Sequence, residues 1–426
     1  MLFVVIVFAL LLIMGVPIAL VLCGAGLTHI VALGDVSYFN VAVQRLFTGV
    51  NSFSMMAIPF FVLAGEIMNR GRITDKLVDF ARALIGQVRG GLAYTVIIVS
   101  VLLSAILGSA NAVCAILCAI LVPEMVKDHY SPEFSTSLIA SSAIIGPIIP
   151  PSVTFVLYAV LAGTSVNALF LGGIIPGLLL AVAYGVIVYM TGRKEHFQKN
   201  TDKFVLKDVL ITFVKAIPAL LIPVVIAGGI LTGLCTPTES GAIAVVIAII
   251  SGMFIYRTLS FKDLIKSLIH ASVLNAAIML VVAMGNIFGW TLAMDRIPQK
   301  MSALILGISQ NRYIVLLIIL VMLLLIGMFM EAFAAMIIFV PVFAPIAESV
   351  GVDPVHFGMI FSLMVSVALI TPPVGMCLFV SSNITKVPLA KLSKSIVPFV
   401  VAAMIVVLLV TFFEPLSTWL PNLLMK

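Results

Sequence analysis

Charged residues are scarce in this sequence. Only 9% of its 426 residues are Asp, Glu, Lys or Arg, 63% are hydrophobic, and the mean hydropathy is +1.30. A water-soluble surface of this size needs far more solvated side chains. The apolar runs are long and continuous, as in 314–330, unlike the short alternating segments of a transmembrane β-barrel. The composition therefore predicts an all-α polytopic membrane protein.

Several motifs are also missing. The sequence has no G-x-x-x-x-G-K-[ST] phosphate loop for ATP, no H-E-x-x-H zinc motif and no TVGYG potassium filter. Its five cysteines form no Cys/His metal spacing, so we interpret them as small core residues. The net charge of +6 comes from basic residues scattered over short loops, which favours a membrane protein without a nucleic-acid partner.

The apolar segments predict the number of membrane crossings. Two segments, 92–125 and 313–348, are too long for one crossing and carry small or polar residues near the middle, so we expect re-entrant hairpins there. The other candidate spans are 4–33, 51–69, 134–163, 168–190, 217–233, 238–256, 272–293, 355–385 and 395–420. With these hairpins and a cytoplasmic N-terminus, 18 basic residues face the cytoplasm and 5 face the other side. The positive-inside rule favours this orientation in a bacterial inner membrane.

The prolines reveal an internal repeat. Pro150-Pro151 and Pro372-Pro373 lie 222 residues apart. The same offset aligns Pro123 with Pro345, Pro132 with Pro354 and Pro176 with Pro398, and an offset of 220 aligns Pro17 with Pro237, Gly65 with Gly285 and Asp75 with Asp295. In the predicted topology the two Pro-Pro segments cross the membrane in opposite directions. The repeats are therefore inverted, which is typical of secondary transporters.

Each Pro-Pro pair breaks a predicted helix in a helix–break–helix segment, at 134–163 and 355–385. A break inside lipid leaves backbone groups without partners unless protein, ions or water satisfy them. Freed carbonyl oxygens suit Na⁺, and helix N-terminal amides suit a carboxylate. Polar or small residues flank both breaks: Ser152 and Thr154 follow the first, and Thr371 and Gly375 flank the second. The alternative is a pair of proline kinks relieved by packing.

The hairpin centres are the predicted partners of the breaks. The first centre contains Gly108, Ser109 and Asn111, which could instead form a small-residue packing motif. The second contains Glu331, an acid among apolar neighbours. Its candidate roles are cation ligand, proton carrier or structural acceptor for amides at the hairpin tip.

Two more charged residues stand out. Glu239, in "TPTESGA", could cap the following helix or have a functional role, and the sequence does not separate these alternatives. Arg296 lies at a predicted span end, where it is expected at the interface or in an ion pair, although it could also meet a partner protein.

Six motifs in order resemble one known family. "GVPIALVL", "IPFFVLAGEIMNRG", "GSANAV", "IGPIIPPS", "TPTESGA" and "TPPVGMCLFV" look like the large, DctM-like membrane subunit of tripartite ATP-independent periplasmic (TRAP) transporters. The resemblance covers essentially the whole chain. It implies a carrier rather than an enzyme, which takes up an organic acid with Na⁺ and works with a periplasmic substrate-binding protein and a small four-helix membrane subunit. The family substrates include sialic acid, which we favour, and C4-dicarboxylates.

The resemblance also implies an elevator mechanism in the inverted-repeat fold of the ion-transporter superfamily. The expected scaffold and arm parts are 1–91 and 217–312, the transport parts are 92–190 and 313–426, and 191–216 is a cytoplasmic linker. Two or more Na⁺ sites would use Gly108, Ser109, Asn111, Gly146, Pro150, Glu331, Thr371, Pro372 and Gly375. The carboxylate substrate would lie near Ser109, Asn111, Ser152, Thr154 and Thr371. The alternative function is a stand-alone Na⁺/divalent-anion symporter of the same superfamily that needs no binding protein.

Overall fold

The computed structural model describes residues 2–194, 197 and 205–425, and every regular element within them is helical. The first half contains α1 (Leu2–Ile13), α2 (Ile18–Leu33), α3 (Ser37–Val50), α4 (Ala57–Arg70), α5 (Ile73–Ile85), α6 (Gly91–Leu107), α7 (Ala110–Lys127), α8 (Pro132–Ala143), α9 (Val153–Ala162) and α10 (Val166–Lys194). The second half contains α11 (Leu206–Leu231), α12 (Pro237–Ile250), α13 (Phe261–Met294), α14 (Ile297–Ile308), α15 (Arg312–Gly327), α16 (Ala332–Ser349), α17 (Pro354–Ala368), α18 (Met376–Thr385), α19 (Leu389–Ser395), α20 (Val397–Phe412) and α21 (Pro415–Leu424).

Within the described residues, six helices are long and apolar enough to cross a membrane, or eight if each of two bent helix pairs is one span. The predicted hairpins are α6–α7 and α15–α16, and the predicted broken helices are α8–α9 and α17–α18. The predicted fold class, an all-α inverted-repeat membrane fold with two hairpins and two broken helices, is thus confirmed.

The helices also correct the alignment of the repeats upstream of the hairpins. Residues 37–70, which hold α3 and α4 with a bend of 57°, match the single helix α13 at 261–294, an offset of 224. Arg72 and Arg296 then correspond, and both precede a helix in the left-handed conformation, with φ of +50° and +54°. The 220 offset is therefore wrong for the pairs Asp75–Asp295 and Gly65–Gly285. A π-helical turn at 251–255 lengthens the second repeat and accounts for part of the shift.

The predicted span 4–33 is likewise wrong, because α1 and α2 are separate helices that fold back on each other. Gly15 has a φ of +74°, and Pro17 lacks an amide hydrogen to continue the helix. The close approach of the helices is visible at Gly24, where a Cβ atom would lie 2.9 Å from Leu11. Val4 and Leu22 belong to the same buried cluster.

The predicted linker 191–216 is helical at both ends. Helix α10 continues to Lys194, and α11 begins at Leu206. The residues between them lie outside the described part of the chain, apart from Phe197 and Val205. Three further helices, α3, α5 and α14, were not predicted as spans. Each combines an apolar and a polar face, which hides it from a search for continuous apolar runs.

The two repeats exchange contacts throughout the molecule. Helix α4 packs against α12 and helix α2 against α13, while in the centre α7 packs against α18 and α9 against α16. Residues 134–143 of α8 and 356–368 of α17 are buried along their whole length. The central breaks are therefore enclosed by protein, which permits irregular backbone at membrane depth.

Candidate functional site

The first break spans 144–152, between α8 and α9. The Ser152 hydroxyl donates to the Pro147 carbonyl at 2.5 Å and accepts from the Phe155 amide at 3.3 Å, so it caps α9. Among the described residues, no hydrogen bond reaches the carbonyl oxygens of Pro150 or Pro151. Open carbonyl oxygens are hard ligands of the kind that Na⁺ binds in transporters.

The second break spans 369–375, between α17 and α18. The Thr371 hydroxyl donates to the Val367 carbonyl at 2.8 Å. In the described part of the chain, the carbonyls of Thr371 and Pro372 accept no hydrogen bond. Gly375 has a φ of +48°, and a Cβ atom there would lie 3.0 Å from the Thr371 oxygen. Thr371, Pro372 and Pro373 keep some solvent exposure, whereas the first break is almost completely buried. Both Pro-Pro peptide bonds are cis.

Each hairpin tip lies against the break of its own repeat. A Cβ atom on Gly108 would lie 3.0 Å from the Val153 amide nitrogen and 3.4 Å from the Pro151 oxygen, and one on Gly146 would lie 3.5 Å from the Ser109 carbonyl carbon. The first tip therefore packs tightly against its break at Gly108.

In the second repeat the tip and the break share a hydrogen bond. The Gly375 amide donates to the Met328 carbonyl at 3.3 Å. Close packing continues at Gly327, where a Cβ atom would lie 2.6 Å from the Ala368 Cβ. The structure therefore brings together Gly108, Ser109 and Gly146 at one site, and the second tip with Gly375 at the other.

Four helices begin at these tips and breaks, and two of them are capped by side chains. Ser152 caps α9, and the Glu331 carboxylate accepts the Phe333 and Ala334 amides of α16 at 3.1 and 3.4 Å. Ser109 precedes α7 and Gly375 precedes α18, and neither supplies a side-chain cap. The N-termini of α7 and α18 are thus open in the sense that no side chain caps them, although the Cys377 amide of α18 donates to the Leu369 carbonyl.

The two open N-termini meet. Asn111 and Cys377 are the second residues of α7 and α18, and the Cys377 thiol donates to the Asn111 Oδ1 atom at 3.3 Å. Two positive helix ends and a side-chain amide converge at this point. Such an arrangement favours an anion.

The remaining predicted residues have other surroundings. Thr154 is buried in α9, with 2% of its surface exposed, and the hydroxyl of Ser152 is already used in the cap. Of the three roles considered for Glu331, its position matches the structural acceptor. Glu239 forms a capping box with Thr236, which matches the structural alternative for this residue. Arg296 is exposed at the start of α14, outside the tips and breaks.

Sequence reasoning missed Cys377, because a lone cysteine in an apolar run is usually a core residue. Its position in "TPPVGMCLFV", directly after the second break, was the available signal.

The fold and the central site define a multi-pass membrane carrier with inverted repeats and broken helices. Residues 5–416 match the family model described as "Tripartite ATP-independent periplasmic transporter, DctM component". The chain belongs to this family.

Two relatives and one structure show how close the similarity is. The sialic acid TRAP transporter large permease protein SiaM of Vibrio cholerae is 36% identical over 409 residues, which cover 96% of this chain and 95% of SiaM. The C4-dicarboxylate TRAP transporter large permease protein DctM of Pseudomonas aeruginosa is 34% identical over 378 residues, covering 89% and 88%. The structure of the Alcanivorax borkumensis YdaH transporter covers 90% of this chain and 91% of its own, with a TM-score of 0.67 at 15% identity, and supports the fold alone. The two relatives are permease proteins, not enzymes.

Proposed function

We propose that this chain carries out Na⁺-coupled uptake of an organic acid across the bacterial inner membrane. The observation that carries the proposal is the meeting of the open N-termini of α7 and α18 at Asn111 and Cys377. A carboxylate placed there would be stabilised by both helix ends and by the amide of Asn111. The names of the two relatives, which handle sialic acid and C4-dicarboxylates, indicate the same chemical class.

Na⁺ is the proposed co-transported cation. Its candidate ligands in the first repeat are oxygens of Gly108, Ser109, Asn111, Gly146 and Pro150, and in the second repeat those of Thr371, Pro372 and Gly375. The carbonyls of Pro150, Thr371 and Pro372 have no donor among the described residues, which fits a cation with hard oxygen ligands. Glu331 is left out of this set because its carboxylate already accepts two amides. A bound cation would also balance the charge of an adjacent carboxylate.

The substrate site would lie between these cation sites. Ser109, Asn111 and Thr371 are partly accessible, so their polar atoms can contact substrate, whereas Ser152 supports the break from inside. We favour sialic acid over a C4-dicarboxylate because SiaM is 36% identical to this chain, compared with 34% for DctM of Pseudomonas aeruginosa.

The proposed mechanism is an elevator, in which the transport parts 92–190 and 313–426 move together against the scaffold parts 1–91 and 217–312. The intertwined central contacts of α7 with α18 and of α9 with α16 hold both tips and both breaks in one unit. The proposed partners are a small four-helix membrane subunit and a periplasmic substrate-binding protein, and membrane lipid surrounds the assembly.

Uptake into proteoliposomes tests the proposal. The chain is reconstituted with its small subunit, and labelled sialic acid or succinate is added with the cognate binding protein, with and without a Na⁺ gradient. We expect uptake only with all three proteins and Na⁺. Uptake at full rate by this chain alone would instead indicate a stand-alone symporter, and uptake without Na⁺ would contradict the proposed coupling.

Two variants test the first cation site in the same assay. Ser109→Ala and Asn111→Ala each remove a candidate ligand, so the Na⁺ concentration for half-maximal uptake should rise about 3- to 10-fold. Ser267→Ala is the control, because this hydroxyl is buried on α13 away from the tips and breaks. An unchanged Na⁺ dependence in both tip variants would show that the tip is only a packing motif.

A further inference from the structure

Cys377 joins three parts of the central site. Its amide donates to the Leu369 carbonyl at 3.0 Å, and its carbonyl accepts from the Cys114 thiol at 3.5 Å. Its own thiol donates to Asn111 Oδ1 at 3.3 Å. Cys377 is fully buried. One residue therefore ties the second break to helix α7 and to the first hairpin tip.

The thiol contact determines which way the Asn111 amide faces. An asparagine side chain has an acceptor oxygen on one side and an NH₂ group with two donors on the other. The thiol donates to the oxygen, so the NH₂ group faces away from Cys377. Among the described residues, no hydrogen bond from Asn111 Nδ2 is found, and Asn111 is only half-buried. Both N–H donors are thus open to a ligand.

The opposite orientation would be unfavourable for an anionic ligand. A flipped amide would present its oxygen to a carboxylate, and two acceptors would face each other without a proton between them. In the flipped orientation the Asn111 NH₂ group would face the Cys377 sulfur. Sulfur is a weak acceptor, so the flipped amide would gain little from this contact.

We propose that Cys377 is a positioning residue of the substrate site, whose thiol holds the Asn111 amide with its two N–H donors toward the substrate carboxylate. This inference rests on the proposed function, since it assumes a carboxylate at the open ends of α7 and α18. Cys377 itself does not contact the substrate. It acts through Asn111, whose polar group it orients.

The other repeat supports a special role for this pair. The counterpart of Cys377 is Thr154, because each is the second residue of the helix that follows a break. The counterpart of Asn111 is Phe333, because each is the second residue of the helix that follows a hairpin tip. Phe333 has no amide group in its side chain, and the N-terminus of α16 is already capped by Glu331. Among the described residues, the pair α7 and α18 therefore presents a side-chain amide beside uncapped helix ends, whereas the matching pair α16 and α9 does not. In the described part of the chain, the substrate carboxylate therefore has one binding position of this kind, between α7 and α18.

Uptake kinetics of the complete transporter test the proposal, with labelled sialic acid and, in parallel, succinate. Cys377→Ala removes the donor, whereas Cys377→Ser keeps one. At saturating Na⁺ we expect the KM of Cys377→Ala to rise about 3- to 10-fold with an unchanged kcat, and Cys377→Ser to restore the wild-type KM. Cys118→Ala is the matched control, because this buried thiol lies one turn beyond Cys114 on α7 and does not contact Asn111.

A double variant separates positioning from packing. In an Asn111→Ala background the Cys377→Ala change should have no further effect on KM, because there is no amide left to orient. Additive effects, a Cys377→Ser variant as impaired as Cys377→Ala, or equal KM values for Cys377→Ala and Cys118→Ala would overturn the inference. Failure of wild-type uptake with either substrate would instead count against the proposed function, so the two failures are distinguishable.

Discussion

Gly108 shows how a single residue closes the first hairpin against its break. Its φ of +58° lies in the left-handed region, and a Cβ atom would lie 3.0 Å from the Val153 amide nitrogen. The hairpin turn therefore needs glycine for its backbone conformation and also for space. Gly163 has a similar φ of +68° but no neighbour within 4 Å of a Cβ position.

This pair of glycines gives a matched prediction. Gly108→Ala and Gly163→Ala both carry the left-handed strain of about 1–2 kcal/mol, but only Gly108→Ala displaces the break. We expect the Na⁺ concentration for half-maximal uptake to rise about threefold or more in Gly108→Ala and to stay at the wild-type value in Gly163→Ala. Equal values for the two variants would show that the tip does not shape a cation site.

Glu331 illustrates a different use of a charged residue in an apolar setting. Its carboxylate occupies the N-terminal amides of α16, which would otherwise have no partner. The corresponding residue in the first repeat, Ser109, leaves the α7 amides uncapped. The protein thus supplies its own anion at one helix end and leaves the other free.

Substitution of Glu331 should therefore affect stability more than coupling. Glu331→Ala is expected to cost about 1 kcal/mol and to lower the melting temperature, whereas Glu331→Ser, which keeps a capping oxygen, should recover most of this loss. Thermal unfolding in detergent measures both. If both variants instead melt like the wild type and lose Na⁺ dependence, Glu331 acts as a cation ligand or proton carrier.

At the scale of elements, α13 is a long helix of the second repeat that contacts both repeats. Its residues contact α2 and α4 of the first repeat and α16 of the second. Near its ends, His270 lies 3.2 Å from Glu66 and Asp295 lies 3.4 Å from His29, so polar contacts join it to the first repeat at both ends. Between them, a Cβ atom on Gly285 would lie 1.9 Å from Ile337 of α16. At this glycine α13 packs directly against the second hairpin.

The contact at Gly285 can be tested against Gly289, one turn further along α13, where a Cβ atom would meet nothing within 4 Å. Gly289→Ala should be neutral or stabilising by up to about 1 kcal/mol, since alanine favours the helix. Gly285→Ala should destabilise by about 1–3 kcal/mol through overpacking. In an Ile337→Ala background Gly285→Ala should cost less, because the clashing Ile337 Cγ2 atom is absent. Identical melting temperatures for the two single variants would contradict this packing.

At the scale of the whole molecule, an elevator needs contacts that break between its two bodies and contacts that persist within one. The Arg82–Glu124 ion pair joins α5 to the first hairpin and so crosses the proposed boundary. Phe80 and Phe213, whose ring centres are 5.4 Å apart, pack α5 on α11. The Glu133–Lys391 pair, at 3.3 Å, joins α8 to α19 within the proposed transport part.

Disulfide crosslinking at the two ion pairs tests this division of the molecule. In a background with Cys377→Ser and alanine at the other four cysteines, Arg82→Cys with Glu124→Cys should arrest uptake on oxidation and recover it on reduction, because the crosslink prevents the relative motion. Glu133→Cys with Lys391→Cys should crosslink without loss of uptake. Arrest by both pairs, or by neither, would count against an elevator divided at these residues.

Much of the fold followed from local properties of the chain. Prolines without amide hydrogens predicted both breaks, and long apolar segments around small residues predicted both hairpins. The helices α3, α5 and α14 were missed because amphipathic helices lack a continuous apolar run. The pairing of Asp75 with Asp295 was wrong because the register of the repeats shifts before α13, in part through a π-helical turn that the sequence does not signal.

The candidate site also has features that the sequence predicts and features that only the structure shows. By itself the sequence determined a membrane carrier with inverted repeats and the places where its helices break, because proline chemistry and apolar length act locally. Only the tertiary structure decided which helix ends are capped and which meet. Asn111 and Cys377 are 266 residues apart, and their contact exists because the repeats cross in the core. No local pattern specifies such a pairing, since it depends on the packing of the whole fold.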